Sequence, residues 1–146
     1  MQSNLRSSDS YAGFSWYLGD DHERPEAASF ADAIGEVENF VLALERPFVL
    51  GGDGQGGVLS TTLALFAPPR LLAVIARRGA IANVDGWDMP LESLAGIDFV
   101  IDDVTVHARD RSASILEQRD ARVVGVADLA GGVTAWLRGF AEHPNG

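Results

Sequence analysis

The chain has 146 residues, of which 47% are hydrophobic and 22% charged, with a net charge of −10 and no cysteine. That length holds one domain with a real core but is short for an α/β enzyme. The charge argues against a nucleic-acid or anionic-membrane partner, and the lack of cysteine excludes disulfides, thiolate catalysis and cysteine metal sites. No signal-peptide pattern marks the N-terminus and no apolar run reaches membrane-spanning length, so a soluble cytoplasmic protein is expected.

In chain order, Met1 to Ser10 is polar and expected to fray. Tyr11 to Leu18 is aromatic and reads as a strand or a packed arm, and Gly19 to Pro25 as a loop. The Asp20-Asp21-His22-Glu23 cluster cannot converge on one ion, so it reads as a solvated loop with an N-cap for the next helix. Glu26 to Leu44 is the clearest helix, because Phe30, Ile34, Val37, Val41 and Leu44 recur on one face.

Pro47 to Leu50 follows as a buried strand, and Val58 to Phe66 as a helix stopped by Pro68-Pro69. Leu71 to Ala76 is a continuous apolar run of strand length, as expected of a sheet covered on both faces. Arg77 to Ala95 is irregular. Ile97 to Ile101 and Val123 to Val126 are further strands, separated by a helix from Ala108 to Gln118. Gly131-Gly132 opens a last helix carrying Val133, Trp136, Leu137 and Phe140. Strands alternating with helices predict a parallel sheet joined by right-handed crossovers.

The corner Val49-Leu50-Gly51-Gly52-Asp53-Gly54-Gln55-Gly56-Gly57 turns a strand sharply into a helix. It fits two motifs. Gly52-Asp53-Gly54-Gln55-Gly56 matches the G-x-S-x-G nucleophile elbow with glycine in place of serine. Gly52, Gly54 and Gly57 match the G-x-G-x-x-G dinucleotide fingerprint, and Arg77-Arg78 then ends the next strand where a 2′-phosphate would be met.

From about Tyr11 onward the chain resembles the phospholipase/carboxylesterase branch of the α/β-hydrolases. The match runs through VLGGDGQGG, STTLALFA and PPRLLAVIA, with RPEAASFADAIGEVENFVLAL as the helix leading in. Asp102-Asp103-Val104-Thr105-Val106 resembles the segment that supplies the family's catalytic aspartate. The resemblance implies a three-layer α/β fold, a partial hydrolase with a mostly parallel sheet of about four to five strands in one domain over 11–146. The N-terminal half of the family fold is then missing.

The resemblance also implies a degenerate triad. Gly54 stands at the nucleophile position, and Gly131-Gly132-Val133 stands where the family has its histidine. Asp103 is the surviving candidate member. A serine triad needs an alcohol, a base and an orienting acid, so ordinary ester hydrolysis by that route is not expected. Asp53 and His107 are further candidates for acid–base chemistry, His107 because it follows the aspartate segment at the expected pocket rim. Ser60 lies about one turn beyond the corner and points elsewhere.

Three functions are therefore expected in turn. The first is a non-hydrolytic relative binding a small ligand or partner at Gly52, Asp53, Gly54 and Gln55, with Trp87 from the irregular stretch. The second is a repurposed acid–base enzyme of the cyclase, isomerase or decarboxylase type. The third is an NADP-type dinucleotide-binding domain. No metal or cofactor is expected for the first two. A strand lacking its upstream neighbour and a sheet face covered only by the last helix predict self-association, most simply as a homodimer.

Overall fold

The computed structural model describes residues 5–6, 14–102 and 104–125. Its elements are β1 (Leu5–Arg6), β2 (Phe14–Ser15), β3 (Gly19–Asp21), β4 (Arg24–Pro25), α1 (Ala27–Leu42), β5 (Phe48–Asp53), α2 (Gln55–Ala64), β6 (Leu71–Arg77), β7 (Asp98–Asp102), α3 (Val106–Glu117) and β8 (Arg122–Gly125). The expected last helix after Gly131 and the candidate Asp103 lie outside the described residues.

The central sheet is all parallel in the order β5-β6-β7-β8. Register fixes its two faces. Leu50, Val74, Phe99 and Val123 align across it, followed by Gly52, Ala76 and Ile101. This face carries the main core, where Val74, Ala76, Phe99 and Ile101 meet Ala64 and Leu65 of α2 and Leu116 of α3. Phe30, Ala33, Ile34 and Val41 of α1 pack with Val58, Leu59 and Leu63 of α2 in a second cluster, which Phe48 and Leu50 join to the sheet. All three described helices therefore serve one face. On the other, Val49, Ala73, Gly51, Ile75 and Val100 align, and Val49 at the edge stays 40% exposed.

Several boundaries differ from the sequence reading, each for a tertiary reason. β5 runs on through Gly51-Gly52-Asp53 because these residues pair with Ile75-Ala76-Arg77, a ladder that outweighs the poor strand preference of glycine. α2 begins at Gln55 rather than Val58, since its two glycines are held by packing on β5 and β6. The cap of α1 is Glu26, whose carboxylate accepts from Ala28 N and Ser29 N at 3.0 and 2.8 Å. The acidic loop cluster does not cap the helix. Asp21 Oδ1 instead accepts from Glu23 N and Arg24 N, closing the β3–β4 hairpin.

Among the described residues the aromatic segment does not pair with β5. Phe14–Ser15 pairs antiparallel with Leu5–Arg6, and among the described residues β5 has β6 alone beside it. The stretch after Trp16 crosses to the α1–α2 cluster, where Tyr17 is fully buried edge-on to Phe30, ring centroids 4.9 Å apart.

Candidate functional site

β5 delivers its last residues to the corner in alternation. Gly52 faces α2, and Asp53 faces the opposite side of the sheet, in register with Arg77. Gly54 then turns the chain with φ 60° and ψ −124°, a conformation that L side chains rarely adopt. Its N–H donates to Arg77 O at 2.9 Å, and its carbonyl accepts the first helical bond of α2 from Val58 N at 3.0 Å. Glycine takes this shape at little cost, so the strained elbow survives without a side chain to strain.

The other glycines of the corner serve close approach. A Cβ on Gly52 would stand 2.3 Å from Gly56 C, and one on Gly79 would stand 2.4 Å from Gly57 C. Gly52 and Gly57 thus let the backbones of β5, α2 and the turn after β6 touch. That accounts for the three-glycine spacing without a pyrophosphate. The strands also follow in one direction with no reversal of order, so the described sheet has no switch-point crevice of the kind that holds a dinucleotide.

Gln55 turns away from a ligand role. Its Oε1 accepts from Trp16 N at 2.7 Å and its Nε2 donates to Tyr17 O at 2.9 Å, so both ends of the amide hold the N-terminal segment across the elbow. Gln55→Ala should lower stability by about 1–2 kcal/mol, because it leaves two partly buried backbone groups unpaired. Gln55→Glu should cost nearly as much, since a carboxylate cannot donate to Tyr17 O. Urea denaturation checks both, and hydrogen exchange should speed up over 16–25.

That segment returns as the β3–β4 hairpin and sets His22 over the corner. A Cβ on Gly54 would meet His22 Cε1 at 3.3 Å and Nδ1 at 3.6 Å. The imidazole thus lies against the space a side chain at position 54 would enter, beside the buried Gly54, while itself staying exposed. Tyr17 Oη donates to the backbone carbonyl of His22 at 2.6 Å. Burial, then the charges of Glu23 and Asp21, push the Tyr17 phenol far above its ordinary range. The fold therefore favours the neutral phenol. Its contribution is fully present below the unfolded value near pH 10 and is lost as pH rises above it. Tyr17→Phe should flatten the alkaline limb of Tm measured between pH 8 and 11.5.

Asp53 is engaged in an ion pair. Arg78 Nε and Nη2 donate to its two carboxylate oxygens at 2.7 Å each. Those hydrogen bonds, outweighing slight desolvation, hold its carboxyl below the usual range. A carboxylate so held is a weak base and a poor nucleophile. Both side chains are about half exposed, so the pair contributes under about 1 kcal/mol.

The remaining candidates lie elsewhere. His107 sits exposed in the first turn of α3, capped by Thr105. Ser60 Oγ donates to Gly56 O at 2.8 Å and does not point into the corner. Trp87 stacks obliquely on Phe30, centroids 5.4 Å apart, and lines an apolar cavity of about 10 Å3 with Thr62, Leu65 and Met89. Trp87 thus packs beside the second half of α2, and no elbow residue lines that cavity. Among the described residues no cluster of three His, Cys, Asp or Glu side chains is placed to hold a metal, and no helix is long and apolar enough to cross a membrane.

The sequence reading missed His22, Tyr17 and Arg78 as parts of this corner. The only local signal for His22 is its place at a tight acidic turn just after an aromatic segment.

Two solved structures share the architecture. A carboxylesterase from Mesorhizobium loti superposes with a TM-score of 0.74 at 21% identity, covering 94% of this chain and 73% of that one. A carboxylesterase from Bacillus cereus gives 0.70 at 13% identity, over 86% and 62% of the two chains. No family model matches the sequence, and no curated protein matches it. A parallel sheet, a glycine-built elbow opening α2 and these superpositions agree: the chain has the α/β-hydrolase fold of the carboxylesterases.

Proposed function

We propose that the protein is a non-hydrolytic α/β-hydrolase-like protein that binds a small apolar or acyl ligand, or a partner, at the elbow. One observation carries this reading: Gly54 keeps the strained elbow conformation while offering no atom that can attack. A fluorophosphonate probe should leave the chain unlabelled, and p-nitrophenyl butyrate should not turn over at serine-esterase rates. Labelling at Ser60, the serine nearest the corner in sequence, would sink the reading. Hexanoate is a suitable test ligand, with saturable shifts of the Gln55 and Gly56 amide resonances as the positive result.

Self-association belongs to the same proposal. β5 presents an outer edge without a strand partner among the described residues, and Val49 is exposed on its open face. Light scattering on a sizing column should give twice 15.6 kDa; a clean 15.6 kDa species at micromolar concentration would count against a dimer. The net charge of −10 suits a dissolved cytoplasmic protein.

A second reading, acid–base chemistry at the same corner, is favoured by the imidazole over Gly54. Asp53 and His107 do not support it, the first because Arg78 holds it, the second because α3 carries it into solvent.

A further inference from the structure

We propose that His22 is the proton-transfer residue of the elbow, acting on a carbonyl compound that carries an acidic C–H. This rests on the second reading above and assigns its base. The inference starts from how firmly the hairpin is fixed. Gln55 grips the backbone on either side of the Trp16–Tyr17 bond. Tyr17, buried against Phe30, donates to the His22 carbonyl. Asp21 closes the turn, and Asn83 N donates to Glu23 O at 2.7 Å. Ties on both flanks fix the backbone of His22, and its exposed ring lies beside Gly54.

The two residues share one space. A side chain at position 54 would crowd the imidazole, since even a methyl group would stand 3.3 Å from Cε1 and the ring would have to give by a few tenths of an ångström. Glycine at position 54 thus gives the histidine of the turn its closest approach to the corner. The reactive group then comes from upstream of β5 instead of from the chain after the last strand. Histidine is the side chain that most often moves protons in catalysis.

The step balances without a co-reactant. An imidazole nitrogen takes the proton as the C–H bond breaks, and that electron pair forms the C=C bond of an enolate. The carbonyl π pair moves to oxygen. For a β,γ-unsaturated carbonyl compound this enolate is a dienolate: the carbonyl re-forms, the C=C bond moves between the α and β carbons, and the γ carbon takes the proton, which completes an isomerisation and restores the imidazole.

The elimination probe 5-nitrobenzisoxazole tests the base with no acyl chemistry. Removal of its C–H proton forms a nitrile as the N–O bond breaks, releasing a coloured phenoxide. The native chain should open it faster than free imidazole at equal concentration. A positioned base contributes about 10²–10⁴-fold, so His22→Gln should lose at least about tenfold. Gly54→Ala should lower the rate with the imidazole still present, because the methyl crowds the ring beside the corner. If Gly54→Ala does not fold, His22→Gln decides alone, its exposed side chain being outside the core.

Equal rates for the native chain and His22→Gln would overturn the proposal. Hexanoate-induced shifts of Gln55 and Gly56 separate the two ideas. Shifts without a His22-dependent rate leave ligand binding standing and remove the base. A His22-dependent rate without shifts does the reverse.

Discussion

Gly52→Ala is expected to lower stability by at least about 3 kcal/mol and Tm by roughly 10 °C. Its new methyl group would stand 2.3–2.7 Å from the carbonyl carbon and oxygen of Gly56 and from Gly57 N. Those are backbone atoms of the first turn of α2, so no rotamer change relieves the overlap. Either α2 lifts off β5 or the corner opens. Lifting the helix uncovers Val58, Leu59 and Leu63, all buried in the α1–α2 cluster. Gly51→Ala is the control. Its nearest contact, Ile75 O, would lie at an ordinary 3.4 Å on the open face of β5, and the change should cost under about 1 kcal/mol. Thermal unfolding of the pair measures the difference. Similar losses would show that the corner does not depend on backbone contact.

The second large effect is expected at Arg119, 6% exposed in the turn between α3 and β8. Its Nε donates to Glu92 O at 2.7 Å and its Nη2 to Leu65 O at 2.6 Å. One guanidinium thus joins the end of α2 to the loop before β7. Leu65 O is one of the carbonyls a helix leaves without an internal partner. Arg119→Met keeps bulk but leaves both acceptors bare in the interior, so stability should fall by about 2–4 kcal/mol. Nη1 is buried without a partner among the described residues, and the methionine is spared that desolvation, which offsets part of the loss. Arg119→Lys should not recover the difference, because a single ammonium lacks the planar fork that spans two acceptors. Urea midpoints of the three chains give the answer. A lysine variant as stable as the native chain would show that charge alone suffices.

Periodicity made most of the scaffold legible. Phe30, Ile34 and Val41 are buried on α1 as their spacing required, and the apolar run from Leu71 became the inner strand β6. Errors gathered where glycine is dense. The start of α2 and the end of β5 were misplaced because Gly51, Gly52, Gly56 and Gly57 carry little local preference of their own. Their structure comes from neighbours, namely the ladder with β6 and the contact with Gly79.

The candidate site divides in the same way. That Gly54 brings no nucleophile to a strand–helix corner is fixed by one letter of the sequence. The roles of the polar residues around it are not. Asp53 meets Arg78 across 25 positions, and Gln55 is used up by backbone groups 38 and 39 positions away. His107 is nearest to the aspartate segment in sequence, yet among the described residues His22 is the histidine at the elbow.

The amino-acid order by itself determined the alternation of strands and helices and the missing side chain at the turn. Both follow from local backbone preference and from which residues must leave water. The choice of imidazole above that turn belonged to the tertiary structure alone. It depends on Tyr17 burying against Phe30 and on Gln55 holding the segment down, contacts between distant parts of the chain that exist only once the core has closed.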